Sequence, residues 1–132
     1  MKRSRFEAAL NAVEIGKASL LGYFGKINQV EAKLKQGLVS EADRETEIKM
    51  KNYLAEVCPD VGFLGEETAY LQSNELFRQT TGARWILDPL DGTTNYIHQF
   101  PIFCISLALE VDGQIELGII DVPMLNQRWV AQ

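Results

Sequence analysis

Apolar residues recur at steps of three and four through the first part of the chain. Phe6, Ala9, Leu10, Val13, Leu20, Leu21 and Phe24 form one stripe, broken at Lys17. This spacing predicts an amphipathic helix over residues 5–24, with Gly25 as its stop, because glycine accepts the left-handed backbone past a helix end. Residues 27–39 lack that period and read as a loop with one extended stretch. A second helix is expected from Ser40. Ser40 would cap it with Asp43 three residues on, and Met50, Tyr53, Leu54 and Val57 would form its buried face. Pro59 forbids helix beyond Cys58.

The pattern then changes. Residues 61–64 form a short apolar run that ends at Gly65-Glu66-Glu67. Residues 68–83 are polar and irregular. Residues 84–87 read as a compact strand ended by Asp88-Pro89, and residues 96–100 read as a short helix stopped by Pro101. Phe103, Ile105, Leu107, Leu109 and Val111 alternate with Ser106 and Glu110, the period of a strand with one face buried. Asp112-Gly113 is a hairpin signal. Residues 115–122 return, 123–127 turn, and 128–132 begin another strand. The expected fold class is α+β, with two N-terminal helices packed on one face of a mainly antiparallel sheet.

Composition narrows the class. The 132 residues are 46% hydrophobic and 23% charged, enough to bury one core. Thirteen Lys and Arg against 18 Asp and Glu give a net charge of −5. The chain has no basic patch of the kind that nucleic acid or an anionic membrane requires, so neither is expected as a partner. No apolar run approaches a membrane span. Glu7 and Glu14 interrupt the segment after the basic start, unlike a signal peptide. Cys58 and Cys104 make neither metal spacing nor a disulfide framework, and a reduced, cytoplasmic setting is the expectation.

The chemistry lies in Asp88-Pro89-Leu90-Asp91-Gly92-Thr93-Thr94-Asn95. Asp88 and Asp91 flank a tight turn and can point at one spot. With the Leu90 carbonyl they offer only oxygen, which suits a hard cation such as Mg²⁺. Gly92, Thr93 and Thr94 would open a helix and offer amides to an anion. A turn with Asp91 as helix cap and Asp88 on loop amides accounts for the same residues taken alone. Glu66 and Glu67, at the end of another short strand, change that balance. If the two strands are neighbours, Glu66, Asp88 and Asp91 converge on one point.

Together these segments resemble the inositol monophosphatase family. Phe63-Leu64-Gly65-Glu66-Glu67, the run Trp85 to Tyr96 and His98-Gln99-Phe100-Pro101 carry the resemblance. Leu38-Val39-Ser40 with Asp43 resembles an upstream acid motif of that family. The resemblance implies that Glu66, Asp88 and the Leu90 carbonyl hold one Mg²⁺ and that Asp88 and Asp91 share a second. The Gly92 and Thr93 amides would hold the phosphate, the Thr93 hydroxyl and Glu66 would orient the attacking water, and Asp43 and Glu67 would be accessory acids. It implies hydrolysis of a small phosphate monoester, inositol monophosphate first, by an enzyme acting as a homodimer. The family completes its second metal with an aspartate in a Trp-Asp motif of a C-terminal half. Here Trp85 and Trp129 are followed by Ile86 and Val130. The expectation is therefore an N-terminal metal- and phosphate-binding domain over residues 1–132. The competing reading is a metal-binding or dimerising half-domain without turnover. His98 is expected at the surface, and Cys104 as a buried small hydrophobe.

Overall fold

Small side chains let the first helix approach its neighbours closely. The computed structural model describes residues 4–27, 31–66 and 82–132. Helix α1 spans Arg5–Ile27 and α2 spans Ala32–Val57. Ala8, Ala9, Ala12 and Gly16 are buried along α1. A Cβ on Gly16 would lie 2.5 Å from Met50 Sδ on α2 and 3.0 Å from an Ile105 methyl on the sheet. A buried hydroxyl pair, Ser19 Oγ and Thr46 Oγ1 at 2.8 Å, ties the helices together without leaving either group unsatisfied.

Both helices run longer than their periodicity predicts. Helix α1 continues past Gly25 because Phe24 and Ile27 pack into the core on either side of it, and that burial holds the last turn. Helix α2 begins at Ala32, with Glu31 as its N-cap, so Ser40 is an exposed residue inside the helix and not its cap. Good helix formers over residues 32–36 carry the helix through Gly37, whose cost is about 1 kcal/mol. The helix ends at Val57, as Pro59 requires.

Five strands follow: β1 (Gly62–Gly65), β2 (Ala83–Asp91), β3 (Cys104–Val111), β4 (Gln114–Val122) and β5 (Gln127–Ala131). They lie side by side in sequence order; β1 and β2 are parallel, and every other pairing is antiparallel. The sheet is thus mixed, with the mainly antiparallel character expected. Asp112 and Gly113 turn the β3–β4 hairpin with φ of 50° and 81°, the left-handed pair that a tight hairpin needs. Trp85, Leu87, Ile105, Leu107, Leu109, Leu117 and Ile119 join the helices in one core. Across the other face, the register aligns Asp88, Ser106, Ile120 and Trp129 in one row and Ile86, Ala108, Gly118 and Ala131 in the next.

Two boundaries bear on the site. Strand β2 does not end at Asp88-Pro89 but runs to Asp91, because the ladder slips between Asp88 and Asp91 and Pro89 falls in the slip. An irregular position is where a strand tolerates a residue without an amide donor. The short helix, α3, spans Thr93–Ile97, three residues earlier than its apolar pattern suggested, because Gly92 can start it. The irregular stretch read from sequence falls almost wholly on residues 67–81, outside the described residues, and Glu67 with it.

Candidate metal and phosphate site

The parallel pairing of β1 with β2 builds the site. Gly65 is in register with Leu87, so Glu66 and Asp88 leave neighbouring strands at the same end of the sheet. Asp88 is half-buried, and its Oδ1 accepts a hydrogen bond from the Leu90 amide at 3.2 Å, which folds the turn. Loop-amide satisfaction, the plain structural role for Asp88, is therefore present but occupies one oxygen only. Leu90 buries its side chain in the core. Asp91 is exposed and sits opposite Cys104.

Helix α3 is held by its own aromatic residue. Tyr96 is fully buried and donates its hydroxyl proton to the Leu20 carbonyl at 2.6 Å. Its ring packs against Phe24 and Phe103 at centroid distances of 5.3 and 4.8 Å. Asn95 Nδ2 donates to the Ile102 carbonyl at 2.7 Å. Gly92, at φ 95°, is the N-cap, and no side chain caps the helix. Asp91 is thus not the cap that its position allows, and the first-turn amides have no acceptor within the helix. Thr93 and Asp43 line one cleft of about 270 Å³, between α2 and α3, with Gln36, Val39, Ser40, Thr94 and Ile97.

The carboxylates act on one another. The Glu66 carboxyl is pushed above its ordinary range, first by partial removal from water and then by the charges of Asp88 and Glu47. Asp88 is raised too, by burial and by Asp91, against the opposing pull of the Leu90 amide. The charge of Asp88 on Glu66, and of Asp91 on Asp88, favours the protonated forms of the two raised groups. Neighbouring carboxylates of this kind supply the oxygen donors that a hard divalent cation takes. Among the described residues no three acidic, histidine or cysteine side chains close around a single point. The arrangement is two carboxylate pairs that share Asp88.

Glu47 does not figure in the sequence reading. It lies one helical turn beyond Asp43 on α2, is 6% exposed, and acts on Glu66. The four-residue step from Asp43 was the available signal. Cys104 also departs from expectation. It is half-buried rather than buried, and its thiol donates to Asp91 Oδ2 at 3.8 Å. Burial and the charges of Asp91 and Asp88 push that thiol up to about 11, so it is no nucleophile at neutral pH. His98 is exposed, as expected.

The family model described as the inositol monophosphatase family matches residues 1–132. The chain belongs to the inositol monophosphatase family. Inositol monophosphatase 2 of Solanum lycopersicum is 36% identical over 125 residues, 95% of this chain and 45% of that protein. Histidinol-phosphatase of Chlorobaculum parvum is 36% identical over 127 residues, 96% of this chain and 47% of that protein. The crystal structure of the extragenic suppressor protein suhB from Bartonella henselae superposes with a TM-score of 0.76 at 32% identity, covering 96% of this chain and 47% of that one. The chain therefore spans about half the length of the family members it matches, and two long helices on a mixed sheet are the portion they share.

Proposed function

We propose that this chain supplies the metal- and phosphate-binding portion of a Mg²⁺-dependent phosphatase that hydrolyses a small phosphate monoester, inositol monophosphate first. The observation that carries the reading is the pairing of Glu66 with Asp88, and of Asp88 with Asp91, beside the uncapped start of α3. Glu66, Asp88, Asp91 and the Leu90 carbonyl would hold Mg²⁺. When bound, the metal supplies Lewis-acid stabilisation of charge on the phosphoryl, attacking and leaving oxygens. The Gly92 and Thr93 amides bind the phosphoryl oxygens. The Thr93 hydroxyl and the Glu66 carboxylate hold the attacking water, and Glu66 takes its proton as the new P–O bond forms and the ester bond breaks. Asp43 shares the cleft with Thr93 and serves as an accessory acid, with Glu67 in the same role. A homodimer and a cytoplasmic setting accompany this reading. No helix among the described residues is long and apolar enough to cross a membrane.

A second reading is a metal-binding or dimerising half-domain without turnover, favoured by the finding that among the described residues no three acidic, histidine or cysteine side chains close around one point. Phosphate release from inositol monophosphate and from histidinol phosphate separates the two. It is measured for the 132-residue chain and for the same chain joined to the C-terminal half of a full-length relative. Turnover of inositol monophosphate by the joined protein supports the first reading. Inactivity of the joined protein toward both esters, with metal binding intact, supports the second.

A further inference from the structure

We propose that α2 carries a second-anion subsite: the groove lined by Gln36, Ser40 and Arg44 takes the far end of a small phosphate monoester whose alcohol part bears a carboxylate. The inference rests on the phosphate-site reading above and narrows its substrate class. Three observations carry it. The cleft that Thr93 and Asp43 share has a neighbour of about 330 Å³, lined by Gly37, Ser40, Glu41 and Arg44. Ser40 lines both, so the two clefts adjoin at that residue. Gln36, Ser40 and Arg44 follow one another at four-residue steps of α2. That spacing sets an amide, a hydroxyl and a guanidinium in one row of about 12 Å, room for a phosphate and a second anion on one small molecule.

The third observation is the state of Arg44. It is exposed and forms no ion pair among the described residues. The other charged residues that line the two clefts are acids. Asp43 lines the first cleft and not the second. Glu41, on the second, accepts a hydrogen bond from the Tyr23 hydroxyl of α1 at 3.2 Å, so its carboxylate has a donor of its own. A guanidinium presents a planar fork of donors that matches a carboxylate, and such charge-assisted pairs are stronger than neutral ones. In a chain of net charge −5, Arg44 lies one helical turn from the residue that joins its cleft to the phosphate cleft. An anion that arrives with the substrate supplies its partner. With the phosphate on the first amides of α3 and the carboxylate on Arg44, the ester is held at both ends.

Calorimetric titration of 3-phosphoglycerate and of glycerol 3-phosphate into the 132-residue chain, with saturating Mg²⁺, tests this. The two esters share a carbon skeleton and differ in a carboxylate against a hydroxymethyl group. Wild type is expected to bind the phosphoglycerate about fivefold more tightly, the scale of an ion pair near the surface. Arg44→Gln should bring the ratio of the two affinities to about one. Arg44→Lys should keep part of the ratio, and added salt should shrink it in wild type. Because Arg44 is exposed, both variants should melt as wild type does. A wild-type ratio of about one overturns the inference, and so does a ratio that survives in Arg44→Gln. Either result leaves the phosphate-site reading standing, because both esters still bind. Binding of neither ester removes that reading, and this inference with it.

Discussion

Asp88 is the residue on which the site turns. It lies beside Glu66, feels Asp91, and anchors the Leu90 turn. Asp88→Asn should therefore cost more phosphatase activity in the C-terminally joined protein than Glu67→Gln, a comparison read from kcat. Thr93→Ala should lower turnover by about 10²–10⁴, the range for lost proton-transfer assistance, with little change in Mn²⁺ affinity. Full turnover in Thr93→Ala would remove its water-holding role. The same carboxylates set a pH dependence. The Glu66 and Asp88 carboxyls are raised above their ordinary 4.5 and 3.8. A raised acid contributes stability below its unfolded value and loses it as pH climbs through the folded one. In chelator, wild type should therefore lose melting temperature relative to Glu66→Gln/Asp88→Asn as the pH climbs above those ordinary values, and Mg²⁺ should restore it. A constant difference over that climb would contradict the carboxylate coupling.

Elements, unlike single residues, were legible in proportion to how locally they are determined. The β3–β4 hairpin could be read directly, because period two and Asp112-Gly113 act within a few residues. The site string could be read because Asp88 to Asn95 is contiguous and Glu66 needs only a neighbouring strand. The end of α1 and the start of α2 were not legible. Ile27 holds α1 past Gly25 through contacts with distant residues, and Ser40, a good cap by identity, is overridden by the helix formers before it. Glu47 was hidden for a related reason, since only the approach of α2 to Gly65 sets its carboxylate beside the strand end that carries Glu66. Gly92 links element to chemistry. Its φ of 95° strains any other residue, and the Ile102 carbonyl 3.3 Å from a would-be Cβ makes the fit tight. Gly92→Ala should cost about 1–3 kcal/mol of stability by chemical denaturation and weaken phosphate binding, because α3 loses its start. A variant as stable as wild type would show the turn to be less constrained than described.

At the scale of the whole molecule, the helices cover one sheet face, and among the described residues no helix covers the other. Ile120 and Trp129, 45% and 56% exposed, border an apolar cleft of about 440 Å³ with Ala108, Gly118 and Ala131. A patch of this kind on an isolated chain drives association. The 132-residue chain should run larger than 14.9 kDa in light-scattering chromatography, and Ile120→Lys should shift it towards monomer. Its turnover alone should lie at least about a thousandfold below that of the C-terminally joined protein, since two-metal displacement needs both the attacking and the leaving oxygen stabilised. The central claim concerns charge. Asp43, Glu47, Glu66, Asp88 and Asp91 concentrate negative charge where a phosphate dianion is meant to bind, and each unit pair at about 4 Å repels by roughly 4 kcal/mol at an effective dielectric of about 20. Only a cation makes such a site a phosphate site. Calorimetric titration of inorganic phosphate into the chain, once with Mg²⁺ and once with chelator, tests this most directly. Binding with Mg²⁺ and none with chelator is the predicted result, and equal affinity in the two would contradict the account.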